Sequence, residues 1–214
     1  MAYVRHTLVT FDSEKRDSMV SRLTTLLDGI KEISGLRAIR VHFDTAQGAD
    51  NRLVVSGFYD DKQAADLAQE SGKDDLSTLS EFVVGEPVVR EGEIIWAFDA
   101  DGVADKPVMP GYSRHTTVSI DPSKLDALLA YADSIVGTLK SISGLRRIRV
   151  ATVKAPPPYK SEDRITVTAG YDSKELADAA SEQVAGVWAG MAEFMTEDPE
   201  RRIVAGDLIY AYNR

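Results

Sequence analysis

The 214-residue chain contains no cysteine, which excludes disulfides, a thiolate nucleophile and any Cys-ligated metal or iron–sulfur site. Histidine is nearly as scarce. There are three, His6, His42 and His115, so imidazole chemistry has to use these positions. Basic residues are in deficit: 25 Lys+Arg against 34 Asp+Glu leave a formal charge of −9, which argues against nucleic acid as a partner, since phosphate backbones are bound by basic faces. No apolar run approaches the roughly 20 residues of a membrane span. The opening MAYVRHTLVTFDSEKRD meets charges before any signal-like apolar stretch. A cytoplasmic protein without membrane contact is the expectation. Gly-rich phosphate loops, HExxH and GxSxG are also missing.

What is present is an internal repeat. ISGLRAIRV at 33–41 returns as ISGLRRIRV at 142–150, and YVRHTLV at 3–9 as YSRHTTV at 112–118, both offset by 109 residues. YDDKQAADLA at 59–68 matches YDSKELADAA at 171–180 at an offset of 112, so three residues are inserted in between, where the second copy reads KAPPPYKSED. GEIIWAF at 92–98 aligns with GDLIYAY at 206–212. A repeat covering nearly the whole chain predicts two units, 1–98 and 112–214, joined by the Asp/Gly/Pro-rich linker 99–111.

Each unit reads β-α-β-β-α-β. Met19, Val20, Leu23, Leu26, Leu27, Ile30 and Ile33 share one helical face, and Leu128, Leu129, Ala132, Ile135, Val136, Leu139 and Ile142 occupy the equivalent places. Asp12 and Asp121 suit the N-cap, and Gly35 and Gly144 suit the left-handed residue that ends a helix. Two antiparallel strand pairs with both helices on one face form a ferredoxin-like α+β unit. Its other sheet face needs a cover, and a second copy supplies one. Two units in one chain predict an internal pseudo-dimeric, eight-stranded α/β barrel, with further homodimerisation left open. Ferredoxin-like RNA-binding modules are disfavoured, because RLVVSGFY lacks a basic, aromatic RNP signature.

The βαββαβ unit, the RHT-V opening strand and the ISGL helix end running into a strand resemble the dimeric α/β-barrel superfamily, which includes stress-responsive barrels and antibiotic-biosynthesis monooxygenase-like proteins. The resemblance spans both halves. It implies a small organic partner and, in some members, cofactor-independent oxygenation or polyketide cyclisation, with the strand-one histidine of plant-type cyclases matching His6 and His115. Haem-degrading members use a helical histidine. All three histidines here fall on predicted strands, so no cofactor is expected.

Strand alternation sends alternate side chains into the barrel. It predicts His6, His115, Arg40, His42, Arg149, Ser56, Phe58 and Thr168 inward, and Arg37 and Arg146 in solvent. With Ala97 and Ala211 set against the helices, Trp96, Phe98, Tyr210 and Tyr212 also point inward. The catalytic candidates are thus His6 and His115, and the substrate-binding candidates Arg40, His42, Trp96, Arg149, Tyr210 and Tyr212. Aromatic walls stack on a planar ring, Arg and His stabilise a phenolate, enolate or carboxylate, and imidazole accepts a proton. Two readings stand: an enzyme of the cofactor-independent monooxygenase or cyclase-like type acting on an aromatic or polyketide-like substrate, or a non-catalytic ligand-binding or stress-response barrel. Trp188, Met191, Phe194 and Met195, at helical spacing, are read as core. An open interior reached by His and Arg favours the first reading, and an interior plugged by aromatic side chains the second.

Overall fold

The computed structural model describes residues 1–45, 51–102, 111–154, 160–197 and 204–214. Most of the expected linker and the centre of the KAPPPYKSED insertion lie outside the described residues. The first half runs β1 (Tyr3–Thr10), α1 (Arg16–Gly29), β2 (Leu36–Phe43), β3 (Arg52–Tyr59), α2 (Lys62–Ser71), α3 (Lys73–Ser77) and β4 (Val88–Asp99). The second repeats it as β5 (Tyr112–Ser119), α4 (Leu125–Ser134), α5 (Val136–Ser141), β6 (Leu145–Thr152), β7 (Arg164–Tyr171), α6 (Lys174–Ala179), α7 (Ser181–Met191) and β8 (Val204–Asn213). Among the described residues, no helix is long and apolar enough to cross a membrane.

Local chemistry sets the element boundaries. Asp12 and Asp121 accept from the backbone N–H two residues on, opening a 3-10 turn that leads into α1 and α4. Gly35 and Gly144 have φ of 78° and 77°, a conformation in which L side chains are strained, but they sit in the turns entering β2 and β6 rather than ending a helix. α1 stops at Gly29 with Ile30 as its cap, and α5 at Ser141 with Ile142. The apolar face of α1 buries Met19, Leu23 and Leu27 with Phe11, Ile39 and Leu53, each side chain contributing roughly 1.5–3 kcal/mol. Trp188, Met191, Phe194 and Met195 pack as core in the second half.

The strands close into one barrel in the order β1-β3-β2-β8-β5-β7-β6-β4. The fourth strand of each half joins the halves edge to edge: β4 pairs with its own β1 and with β6, and β8 with its own β5 and with β2. The crossing requires very close backbones. A Cβ on Gly92 would lie 1.6 Å from the Thr152 carbonyl oxygen, and one on Gly206 would lie 1.4 Å from that of Phe43.

Bulges correct one part of the expected interior. Opposite β6 the partners jump from Ile94 to Trp96, and opposite β2 from Leu208 to Tyr210, so Ile95 and Ile209 are extra residues. A bulge shifts the alternation by one. Trp96, Phe98, Tyr210 and Tyr212, expected to point inward, therefore face the helices. Trp96 donates from Nε1 to Asp133 at 2.8 Å, and Tyr210 donates its hydroxyl to Asp28 at 2.8 Å. The Tyr212 hydroxyl donates to the Lys31 carbonyl at 3.2 Å, and Phe98 packs with Leu139 and Ile142. Ile94, Ala97, Asp99, Leu208 and Asn213 line the interior instead.

Candidate functional site

The barrel encloses a cavity of about 840 Å³ that both halves line. Leu8 and Val54 pack together as a small buried apolar pair on inward positions. At the cavity lie His42 and His115, Ser56, Phe58 and Thr168, with arginines toward its mouth.

All three histidines meet, although they come from β1, β2 and β5. The His6 and His115 ring centroids are 4.9 Å apart and those of His42 and His115 6.1 Å, both edge to face. Alternation sends all three inward, with His6 and His115 as the catalytic candidates and His42 as a binding one. The structure brings His42 against His115 at the cavity and sets His6 behind the cavity wall, against the His115 ring. His6 Nδ1 meets Ser56 Oγ at 2.7 Å, and its Nε2 is buried without a partner. His115 Nε2 meets Ser113 Oγ at 3.0 Å. His42 Nδ1 lies 3.3 Å from the Gly206 carbonyl. A carbonyl only accepts, so this nitrogen carries the hydrogen and Nε2 keeps the lone pair.

Burial is the main force on the imidazoles. Desolvation, then the His115 ring, pushes His42 down to about 3, and desolvation followed by the Arg90 charge takes His115 to about 4. His6 is also well below its ordinary value, first through burial and then through His115, Arg90 and His42. The cluster is neutral at neutral pH.

The repeated arginines divide by register. Arg37 and Arg146 sit at bulges between β2 and β3 and between β6 and β7, and pair with Asp60 and Asp172, the aspartates of the repeated YD. Arg40 and Arg149 turn inward as alternation predicts. Arg149 donates to the carbonyls of Phe98 and Ile148, both at 2.9 Å, and to both oxygens of Asp99. Arg40 makes the same backbone contacts, at 2.6 Å to Tyr212 and 2.7 Å to Ile39, but its third partner is Asn213 Oδ1 at 2.5 Å. Asp99 and Asn213 were missed from the sequence. The signal was available: they follow the aligned strands GEIIWAF and GDLIYAY at the same distance.

Among the described residues no group of three or more His, Asp or Glu donors is placed to hold a metal. A second, apolar space of about 90 Å³ lies between the second half's sheet and helices, lined by Trp96, Trp188 and Met191. Ligand pockets run to roughly 300 Å³ or more, and no histidine lines this space, so the residues present do not fit a haem held by a helical histidine.

The architecture is that of the dimeric α/β barrel, with both halves in a single chain. A candidate monooxygenase from Fusobacterium nucleatum superposes with a TM-score of 0.74 at 12% identity, covering 100% of this chain and 94% of the other. A candidate monooxygenase from Lactobacillus acidophilus gives 0.72 at 13% identity, covering 99% and 96%. An anthrone oxidase-like protein gives 0.70 at 14% identity, covering 99% and 92%. Chlorite dismutase from Candidatus Nitrospira defluvii also shares the fold, with a TM-score of 0.62 at 9% identity, covering 97% and 91%. At these identities the likeness is one of fold. No protein-family profile and no curated protein matches the sequence.

Proposed function

We propose that the barrel cavity is a small-molecule active site for cofactor-independent oxygenation of an aromatic or polyketide-like substrate, in which His42 and His115 handle the proton and the mouth arginines stabilise the anion formed. The observation that carries this reading is the clustering of the three histidines from both halves, two of which, His42 and His115, line one arginine-rimmed cavity.

The chemistry balances without a further reductant. A neutral imidazole takes a proton from an acidified CH₂, and the resulting enolate transfers electrons to O₂ and forms the C–O bond. The peroxide anion regains the proton from imidazolium. Loss of the second C–H proton with O–O cleavage then releases water, so that CH₂ + O₂ gives C=O + H₂O. Carbon is oxidised, dioxygen is reduced, and the substrate supplies every electron. A histidine titrating near 4 is a weak base, and the step becomes favourable only where guanidinium charge stabilises the enolate. His6, behind His115, acts as a positioning residue. On this reading the protein works in the cytoplasm on a diffusible organic molecule.

Anthrone, which has such a CH₂, is a suitable probe. Oxygen uptake equimolar with anthraquinone formation is expected without added cofactor. His42→Gln and His115→Gln should each lower kcat by roughly 10²-fold or more while leaving the thermal midpoint in place. Unaltered rates in both variants would contradict the assignment. The depressed basicity of the cluster favours a second reading, a non-catalytic binding barrel; ligand binding without oxygen uptake is its signature.

A further inference from the structure

We propose that Arg40 is the anchor for an organic carboxylate in the barrel cavity, and that the Asp99-to-Asn213 difference between the repeats has made an otherwise two-fold site one-sided. This deepens the proposed reading and rests on the cavity being a ligand site.

Arg40 and Arg149 are matched positions with matched backbone acceptors, and they differ in one partner. Asp99 accepts from Arg149 at 2.9 and 3.0 Å and lies 3.6 Å from Arg147, so one carboxylate serves that wall. On the other wall Asn213 offers a neutral oxygen. Arg40 is only 9% exposed, and no carboxylate among the described residues pairs with it. A buried guanidinium without a counter-ion is costly, and Arg147 and Arg149 face it with the same sign: after desolvation, their charges are what pull Arg40 down to about 10.

Three of the five guanidinium N–H donors are used, two on carbonyls and one on Asn213. The Nε–H and one Nη2 hydrogen remain in a residue that lines the cavity. An incoming carboxylate supplies both the missing charge and the missing acceptors. His42 lies two residues along the same strand face, roughly 7 Å away, about the breadth of an aromatic ring. Phe58 lines the same cavity. The ligand class that fits is an arene or fused-ring carboxylate, its anion on Arg40 and its ring reaching the histidines.

The test is equilibrium titration of the full chain with 2-naphthoate and with its neutral isostere 2-naphthamide, following protein fluorescence. The acid should bind at least tenfold more tightly. Asn213→Asp, which gives Arg40 the carboxylate that Arg149 already has, should remove that preference at an unchanged or raised melting temperature. Asp99→Asn should do the reverse and tighten naphthoate binding severalfold. Arg40→Gln should abolish the preference, with the amide titration reporting whether the cavity is intact. Equal affinities for acid and amide, or an acid preference that survives Asn213→Asp, would overturn the proposal. Either result can occur with anthrone turnover intact, and naphthoate binding through Arg40 can occur with no turnover at all, so the two readings fail separately.

Discussion

His42, held near 3, and His115, held near 4, are neutral in the folded protein but titrate near 6.5 once unfolded. His6 shifts the same way. The unfolded chain therefore binds more protons below pH 6.5, and the stability these groups contribute is present above that pH and lost as pH falls toward 4 and 3. Each imidazole should cost roughly 1.4 kcal/mol per pH unit across that window. Urea midpoints should fall steadily from pH 6.5 to 5, and His115→Gln should flatten the slope. A level profile would place the rings in water. His6 and His115 were legible as inward residues because alternation is a local rule. Their union with His42 was not, because it depends on which strands meet across the barrel.

At the scale of the strand, the decisive features are the bulges at Ile95 and Ile209. They turn Trp96 and Tyr210 under the helices and aim Asp99 and Asn213 at the inward arginines. Sequence alternation assigned Trp96 and Tyr210 to the wrong face because one unpaired residue reverses every later one. The repeated glycines before the bulges carry a sharper consequence. Gly206→Ala would drive a Cβ to within 1.4 Å of the Phe43 carbonyl oxygen, and backbone on both sides limits relief. A loss of about 3 kcal/mol in urea unfolding is expected, with Gly92→Ala similar. A neutral result at either site would mean that the strands cross less closely. Helix starts, by contrast, were readable, since Asp12 and Asp121 act on their own neighbours. The left-handed glycines were too, although Gly35 and Gly144 lead into β2 and β6 rather than end a helix.

For the whole molecule, closure is the organising fact. Each half presents its second and fourth strands to the other, so a half alone leaves two hydrogen-bonding edges open, which proteins rarely tolerate. We propose 1–98 and 112–214 as the repeating units. The fragment 1–98 should then close a barrel with a second copy and sediment as a dimer. A folded monomer would show that the seam is dispensable.

The sequence by itself determined the duplication, the βαββαβ order, the N-terminal caps at Asp12 and Asp121 and the inward faces of the first three strands in each half, because these follow from spacing and from contacts within a few residues. Only the tertiary structure decided which strands are exchanged, where the bulges fall, that three distant histidines meet in one cluster, and that Arg149 has a carboxylate while Arg40 has an amide. Those outcomes depend on hydrogen bonds between residues as far apart as Arg40 and Asn213, and backbone pairing across such distances leaves no periodic trace in the chain.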